Sequence, residues 1–215
     1  LHLNNDFREE IDFNIRAALQ KLSNFQQSEG SFTYWPGESY YSSWGTNYAG
    51  HFMLEAERLG YALPDGMKST WIQAQKRLSR EWTAKWSYRS GYYSYRSAVI
   101  TQAYRLFTLA LANSPELGAM NRLREEASLS LQARWRLAAA YHLAGQPEVA
   151  KELVASYDFK IDDYIELSYS YGCRYRDEGM ILEALCLMGD ETNAAVLANT
   201  VASHLSPRRW LNTQA

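Results

Sequence analysis

Cysteine is nearly absent: two residues in 215, too few for a disulfide framework or a four-cysteine zinc site. An excess of one charge is missing too. Lysine and arginine total 22 against 24 acids, a net charge of −2, whereas a general nucleic-acid binder is basic or has a basic stripe. No apolar run approaches the roughly 18–20 residues that span a bilayer as a helix. Histidine is sparse and scattered, at His2, His51, His142 and His204. There is no His-Glu-x-x-His, no phosphate-cradling glycine loop, no Gly-x-Ser-x-Gly and no zinc-spaced Cys/His set. No cofactor or metal is expected, and no residue is assigned a catalytic role. What the chain does have is apolar mass and rings. At 47% hydrophobic and 21% charged it has the composition of a folded domain. Sixteen tyrosines, seven tryptophans and seven phenylalanines make it unusually aromatic.

The chain opens at Leu1-His2 with neither methionine nor signal peptide and stops at Gln214-Ala215 without a tail. Both ends read as cuts. The expectation is a single domain, 1–215, excised from a larger protein.

Apolar residues recur at helical spacing throughout. Asp6 and Glu9 have capping-box spacing, ahead of a face formed by Phe7, Ile11, Ile15, Ala18, Leu22 and Phe25. A second helix is expected from Thr46 to Gly60, burying Ala49, Phe52, Met53, Ala56 and Leu59. Pro64-Asp65 opens a third, with Met67, Trp71, Ala74 and Leu78 inward. Ser97 reads as the cap of an apolar helix reaching Asn113. Residues 117–143 form two helices or one kinked helix, Pro147 starts another, and a last pair covers 177–188 and 190–205. Nothing alternates with period two over any length, so the fold class is all-α. Residues 141–150 and 185–194 match in kind: an apolar helix end, a glycine, a polar residue, then a new helix. Gly145 and Gly189 lie 44 residues apart, which excludes a tetratricopeptide period of about 34. Segments 98–112 and 180–188 are apolar on more than one side and need neighbours on both sides, as in the inner ring of an α/α toroid.

Tyrosine-rich loops at 31–45, 82–96 and 157–175 separate the hairpins. They read either as a packed cover or as a binding floor. Four carboxylates lie in or beside them: Glu38, Asp162, Asp163 and Glu178. No spacing marks any two as a glycosidase pair, so surface and capping roles are the default. Asp177 is expected to cap the helix that follows it, with Arg176 pinning the loop. Thirteen residues of continuous helix would hold Cys173 and Cys186 roughly 20 Å apart, beyond the ~7 Å that a disulfide tolerates. Two free thiols are therefore expected, Cys186 buried on the face of Leu182, Leu185 and Met188, and Cys173 accessible in its loop.

Three blocks carry a family resemblance. Phe25-Gln26-Gln27-Ser28-Glu29-Gly30-Ser31-Phe32-Thr33-Tyr34-Trp35-Pro36-Gly37, continued by Trp44-Gly45-Thr46-Asn47-Tyr48-Ala49-Gly50-His51-Phe52-Met53-Leu54-Glu55-Ala56, resembles a segment of bacterial α2-macroglobulins. Tyr171-Gly172-Cys173-Arg174-Tyr175-Arg176-Asp177-Glu178-Gly179-Met180-Ile181-Leu182-Glu183 resembles that family's "YGS-x-x-RD-x-A-x-x-L" stretch, and Leu211-Asn212-Thr213-Gln214 its "(S)TQ(ET)" stretch. The blocks keep the family's order over nearly the whole chain. The resemblance implies most of a thioester domain, an α/α toroid within a bacterial endopeptidase inhibitor of the periplasm or cell envelope. It also implies partners: the remaining domains of the parent chain and, in the full-length protein only, target proteases. With roughly eight or nine helices the ring would be incomplete, leaving apolar faces uncovered. The family's Gly-Cys-x-Glu-Gln thioester motif does not occur here; position 176 is Arg and position 189 is Gly where a glutamine would be needed. Either the motif lies upstream of Leu1 or this lineage has lost it. The segment is therefore read as a scaffold, not an enzyme. Two other classes stay open: a glycoside hydrolase or terpenoid-cyclase-like enzyme on the same toroid, and an α-solenoid interaction module, which the long aromatic loops fit poorly.

Overall fold

The computed structural model describes residues 4–84, 92–167 and 169–205. Among them are nine α-helices and, in place of strands, only two isolated bridges, Gln26 with Phe32 and Ile165 with Cys173. The all-α reading holds. The helices are α1 (Asn5–Leu22), α2 (Ser43–Arg58), α3 (Met67–Glu81), α4 (Tyr92–Leu111), α5 (Leu117–Arg124), α6 (Leu131–Leu143), α7 (Pro147–Val154), α8 (Arg174–Met188) and α9 (Glu191–Leu205). The chain divides into two compact units, Leu1–Leu78 and Ser79–Ala215. The middle of the 82–96 loop and the 211–214 block lie outside the described residues.

In the first unit, α1 departs from expectation. Asn4 caps it, its Oδ1 accepting from the Asp6 amide at 3.4 Å, so Asp6 sits inside the first turn. Asn and Asp cap about equally well, and the extended backbone at Asn4 decides between them. Only Leu19 of α1 is buried, while Phe7 and Ile11 lie open to solvent. The apolar face is real, but the described elements beside it, a short 3-10 turn at Ser23–Phe25 and α2, do not cover it.

Helix α2 begins earlier than Thr46. Ser42 is the cap, its Oγ accepting from the Gly45 amide at 2.9 Å. Thr46 is instead wholly buried, and its Oγ1 accepts from the Phe32 amide at 2.9 Å, fixing the preceding loop. Met53 and Ala56 are buried as expected, but Leu59 is exposed. From α3, Met67, Trp71 and Ala74 fill the core. Polar ties finish it: the Trp71 indole donates to the Thr46 carbonyl at 3.0 Å, and the Gln75 amide donates to Asn47 Oδ1 at 2.6 Å.

The second unit is built on α6, which packs against α4, α7 and α8. It is buried nearly all round, with Ala133, Leu137, Ala138, Ala139 and Ala140 fully enclosed. Small residues let three neighbours close on one helix. Helix α4 is enclosed in the same way from Val99 to Ala110. The two matched hairpins are α6–α7 and α8–α9. Each ends its first helix on a left-handed glycine, φ 76° at Gly145 and φ 75° at Gly189, and the next amide donates five residues back, Gln146 to Tyr141 and Asp190 to Leu185. Arg136, 2% exposed, crosses the unit: its guanidinium lies 4.3 Å from the Phe107 ring and bonds Glu183 of α8. Among the described residues no helix is long and apolar enough to cross a membrane.

Candidate functional site

The densest polar chemistry lies where the 157–175 loop meets the start of α8. Cys173 is the N-cap residue of α8 and gives no side-chain cap bond. Asp177 is a full turn inside the helix and completely buried. The expected capping role is therefore corrected. Asp177 accepts on Oδ1 from Arg176 Nε at 2.9 Å and Nη2 at 2.5 Å, and on Oδ2 from the Tyr164 hydroxyl. Arg176, itself buried, sends Nη1 to the Ser170 carbonyl at 2.6 Å. Arginine does pin the loop, as the sequence implies. The aspartate holds the arginine, not the helix end.

Further bonds stiffen the loop tip. Glu166 pairs its amide with the Gly172 carbonyl at 2.7 Å, and its carboxylate accepts from the Ser170 hydroxyl and the Gly172 amide. Gly172 is required by close approach: a Cβ there would press on the Tyr164 hydroxyl and on Arg176. Tyr169 and Tyr171 take the left-handed backbone, φ 57° and 51°, which side-chain-bearing residues adopt only when neighbours impose it. Ile165, Leu167 and Tyr169 point outward, mostly exposed.

A second charged layer runs alongside. Arg174 donates to Glu178 Oε1 at 2.8 Å and lies 3.4 Å from Asp163. The hydrogen bond that Arg174 donates to the Glu178 carboxylate holds its guanidinium above its ordinary pKa, against the effect of burial. The other oxygen of Glu178 faces His204 Nε2 at 3.4 Å, and the His204 ring tilts against Tyr175 at 4.9 Å between centroids. That His204–Glu178 pairing was not legible in the sequence.

The four carboxylates are thus not gathered into one site. Glu38, in the first unit, closes a turn by accepting from the Trp35 amide at 3.2 Å. Asp163 is on the surface with Arg174, and Glu178 is buried behind the same arginine. Asp162 is exposed on the rim of an open cleft. Asp162 and Asp163, adjacent in the chain and both exposed, line that cleft together, and the described residues hold no cluster of three or more potential metal ligands. His51 lies within α2 and His142 within α6, as expected; His2 is outside the described residues.

The thiols reverse the expectation. Cys173 is 5% exposed and Cys186 is exposed; both are free. The buried stripe of α8 runs through Asp177, Met180, Ile181, Ala184 and Leu185, leaving Cys186 on the opposite side. Cys173 is covered by its bridge to Ile165 and the bonded loop around it. Iodoacetamide should therefore alkylate Cys186 promptly in the native chain and Cys173 only on unfolding. Equal rates at the two positions would contradict the burial, and peptide mass mapping distinguishes them.

No family model matches the sequence, and no curated protein does. Solved structures do match. Trypsin-activated α2-macroglobulin of Escherichia coli superimposes with a TM-score of 0.78 at 20% identity, over 96% of this chain and 14% of that one. Native E. coli α2-macroglobulin from domain MG7 to the C-terminus gives 0.78 at 23% identity, over 96% and 33%. Salmonella α2-macroglobulin reacted with methylamine gives 0.75 at 22% identity, over 93% and 13%. The chain spans between 13% and 33% of the length of these proteins. It has the fold of a helical region of the bacterial α2-macroglobulins.

Proposed function

We propose that residues 1–215 are most of a thioester-domain-like α/α toroid and act as helical scaffold within a longer bacterial protease trap of the periplasm or cell envelope. The observation that supports this most is the fold likeness over 96% of the chain to bacterial α2-macroglobulins. The blocks at 25–56 and 171–183 fall, respectively, on the loop-to-α2 passage with most of α2 and on the pinned start and first turns of α8. In this reading the buried Arg176–Asp177–Tyr164 cluster is a structural lock, since a fully enclosed carboxylate reaches no substrate.

The chemistry of covalent trapping needs an electrophilic acyl group, whereas Cys173 and Cys186 are free thiols, hence nucleophiles. The chain alone is expected to take up no methylamine and to form no covalent adduct with trypsin or elastase. Intact-mass spectrometry reads this directly; a methylamine adduct, or a mass equal to chain plus protease, would overturn the scaffold role. For the longer product the expected result is a protease that keeps its activity on a small chromogenic peptide while losing activity on casein. Equal loss on both substrates, or none on either, counts against a trap.

A further inference from the structure

We propose that helix α1 pairs, antiparallel, with the α1 of a second copy of this chain through its uncovered apolar seam. The seam is Phe7, Ile11, Ile15, Ala18 and Leu22, one face of the helix at spacings of four and three residues. Phe7 is 50% exposed and Ile11 36%; Ala18 is exposed, and Ile15 and Leu22 are partly so. The helix is fastened to the first unit along a neighbouring side. Leu19 is its only buried residue, and Arg16, paired with Asp12, lies over the Tyr61 ring at 5.3 Å. Helices of this length are marginal in water on propensity alone and draw most of their stability from a packed face. The seam is the face of α1 that lacks such packing.

Charge selects the occupant. Beside the seam, on the flank away from Asp12 and Arg16, helical spacing places Glu10, Asn14, Ala17 and Lys21. Glu10 and Lys21 form no ion pair with any described residue. In an antiparallel pair related by a two-fold axis, like flanks face each other. Glu10 of each copy then meets Lys21 of the other, Phe7 meets Leu22, Ile11 meets Ala18, and Ile15 meets its own counterpart near the axis. The pattern is thus complementary to itself, and flanking charges of this kind set partner and orientation in helix pairs. A parallel pair would set this flank against Asp12 and Arg16, which already bond each other at 2.8 Å. A membrane surface fits worse. Asp6, Glu9, Glu10 and Asp12 outnumber Arg8, Arg16 and Lys21, whereas helices that lie on anionic lipid are rich in lysine and arginine. From Phe7 to Leu22 the seam is roughly 22 Å long at 1.5 Å per residue, short of the roughly 1,200–2,000 Å² that stable complexes bury. The pairing is therefore reversible, with a dissociation constant of about 10–100 µM. It does not depend on protease trapping.

The test is sedimentation velocity of the 215-residue chain from about 1 to 500 µM, a range that brackets the expected constant, in reducing buffer because Cys186 is exposed. The expected result is a monomer–dimer equilibrium without larger species. Ile11→Glu, which sets a charge into the middle of the seam on both copies, should weaken it at least about a hundredfold. Glu10→Lys and Lys21→Glu should each weaken it about fivefold by placing like charges together, and the double reversal should restore it. If Ile11→Glu does not fold, the surface reversals still decide. The proposal is overturned by a monomer throughout the range, which leaves the seam to another segment of a longer chain, and by species that grow past the dimer. It is equally overturned by a dimer that survives Ile11→Glu, by single reversals without effect, by a double reversal that does not restore pairing, or by a monomer that instead co-sediments with phosphatidylcholine–phosphatidylglycerol vesicles.

Discussion

Asp177→Ala is expected to destabilise the chain by about 3–5 kcal/mol, the range for removing one partner of a buried ion pair. Loss of a helix cap would cost about 0.5–2 kcal/mol, so the measurement separates the two roles. Asp177 is 0% exposed and Arg176 is 8% exposed. Without the carboxylate, the guanidinium keeps the Ser170 carbonyl as acceptor but loses two charge-assisted bonds, and the Tyr164 hydroxyl loses its acceptor. Water cannot easily replace them in a packed loop base. Asp177→Asn should be milder, because an amide oxygen still accepts from Tyr164 although the charge is gone. The double replacement Arg176→Met with Asp177→Leu should recover part of the loss, since no charge is then stranded. Urea midpoints by circular dichroism give the ranking. A midpoint for Asp177→Ala within about 0.5 kcal/mol of the parent, the range of an ordinary surface change, would refute the buried lock.

The helical content was legible because local signals agreed with tertiary structure at the points that matter. Gly145 and Gly189, each after an apolar helix end, marked two helix ends, and the structure ends a helix on each, with left-handed backbone at both. Pro147 marked a helix start for the same local reason. The failures share a different cause. Segment 180–188 is apolar on several sides, so period alone could not say which side faces out, and Cys186 was placed on the wrong one. The face of α1 was read as buried because amphipathicity reports what a helix can bury, while its described neighbours leave Phe7 and Ile11 open. The role of Asp177 depends on Tyr164, 13 residues earlier and across a loop; no periodic pattern encodes that pairing.

Gly50→Ala is expected to destabilise the first unit by driving a methyl group into its largest core residue, Trp71. A single added Cβ would fall less than 3.0 Å from Cζ2, Cε2 and Nε1 of Trp71, closer than van der Waals contact allows. Trp71 cannot retreat: it is 0% exposed, and its indole N–H is committed to the Thr46 carbonyl at 3.0 Å. Thr46 in turn holds the Phe32 amide, so displacing the ring loosens both α2 and the loop before it. Overpacking of this kind costs about 1–3 kcal/mol and sometimes more, while Trp71→Ala should cost about 3–5 kcal/mol through the cavity it leaves. The two changes touch the same space and must therefore couple. Trp71→Phe withdraws the ring atoms that meet the new methyl, at the loss of one buried hydrogen bond. The pair Gly50→Ala with Trp71→Phe should then be more stable than the sum of the singles predicts, by at least about 0.5 kcal/mol, the smallest coupling that a double-mutant cycle resolves between neighbours. Strict additivity would mean that α2 and α3 simply move apart, and that the glycine is not what lets the tryptophan approach.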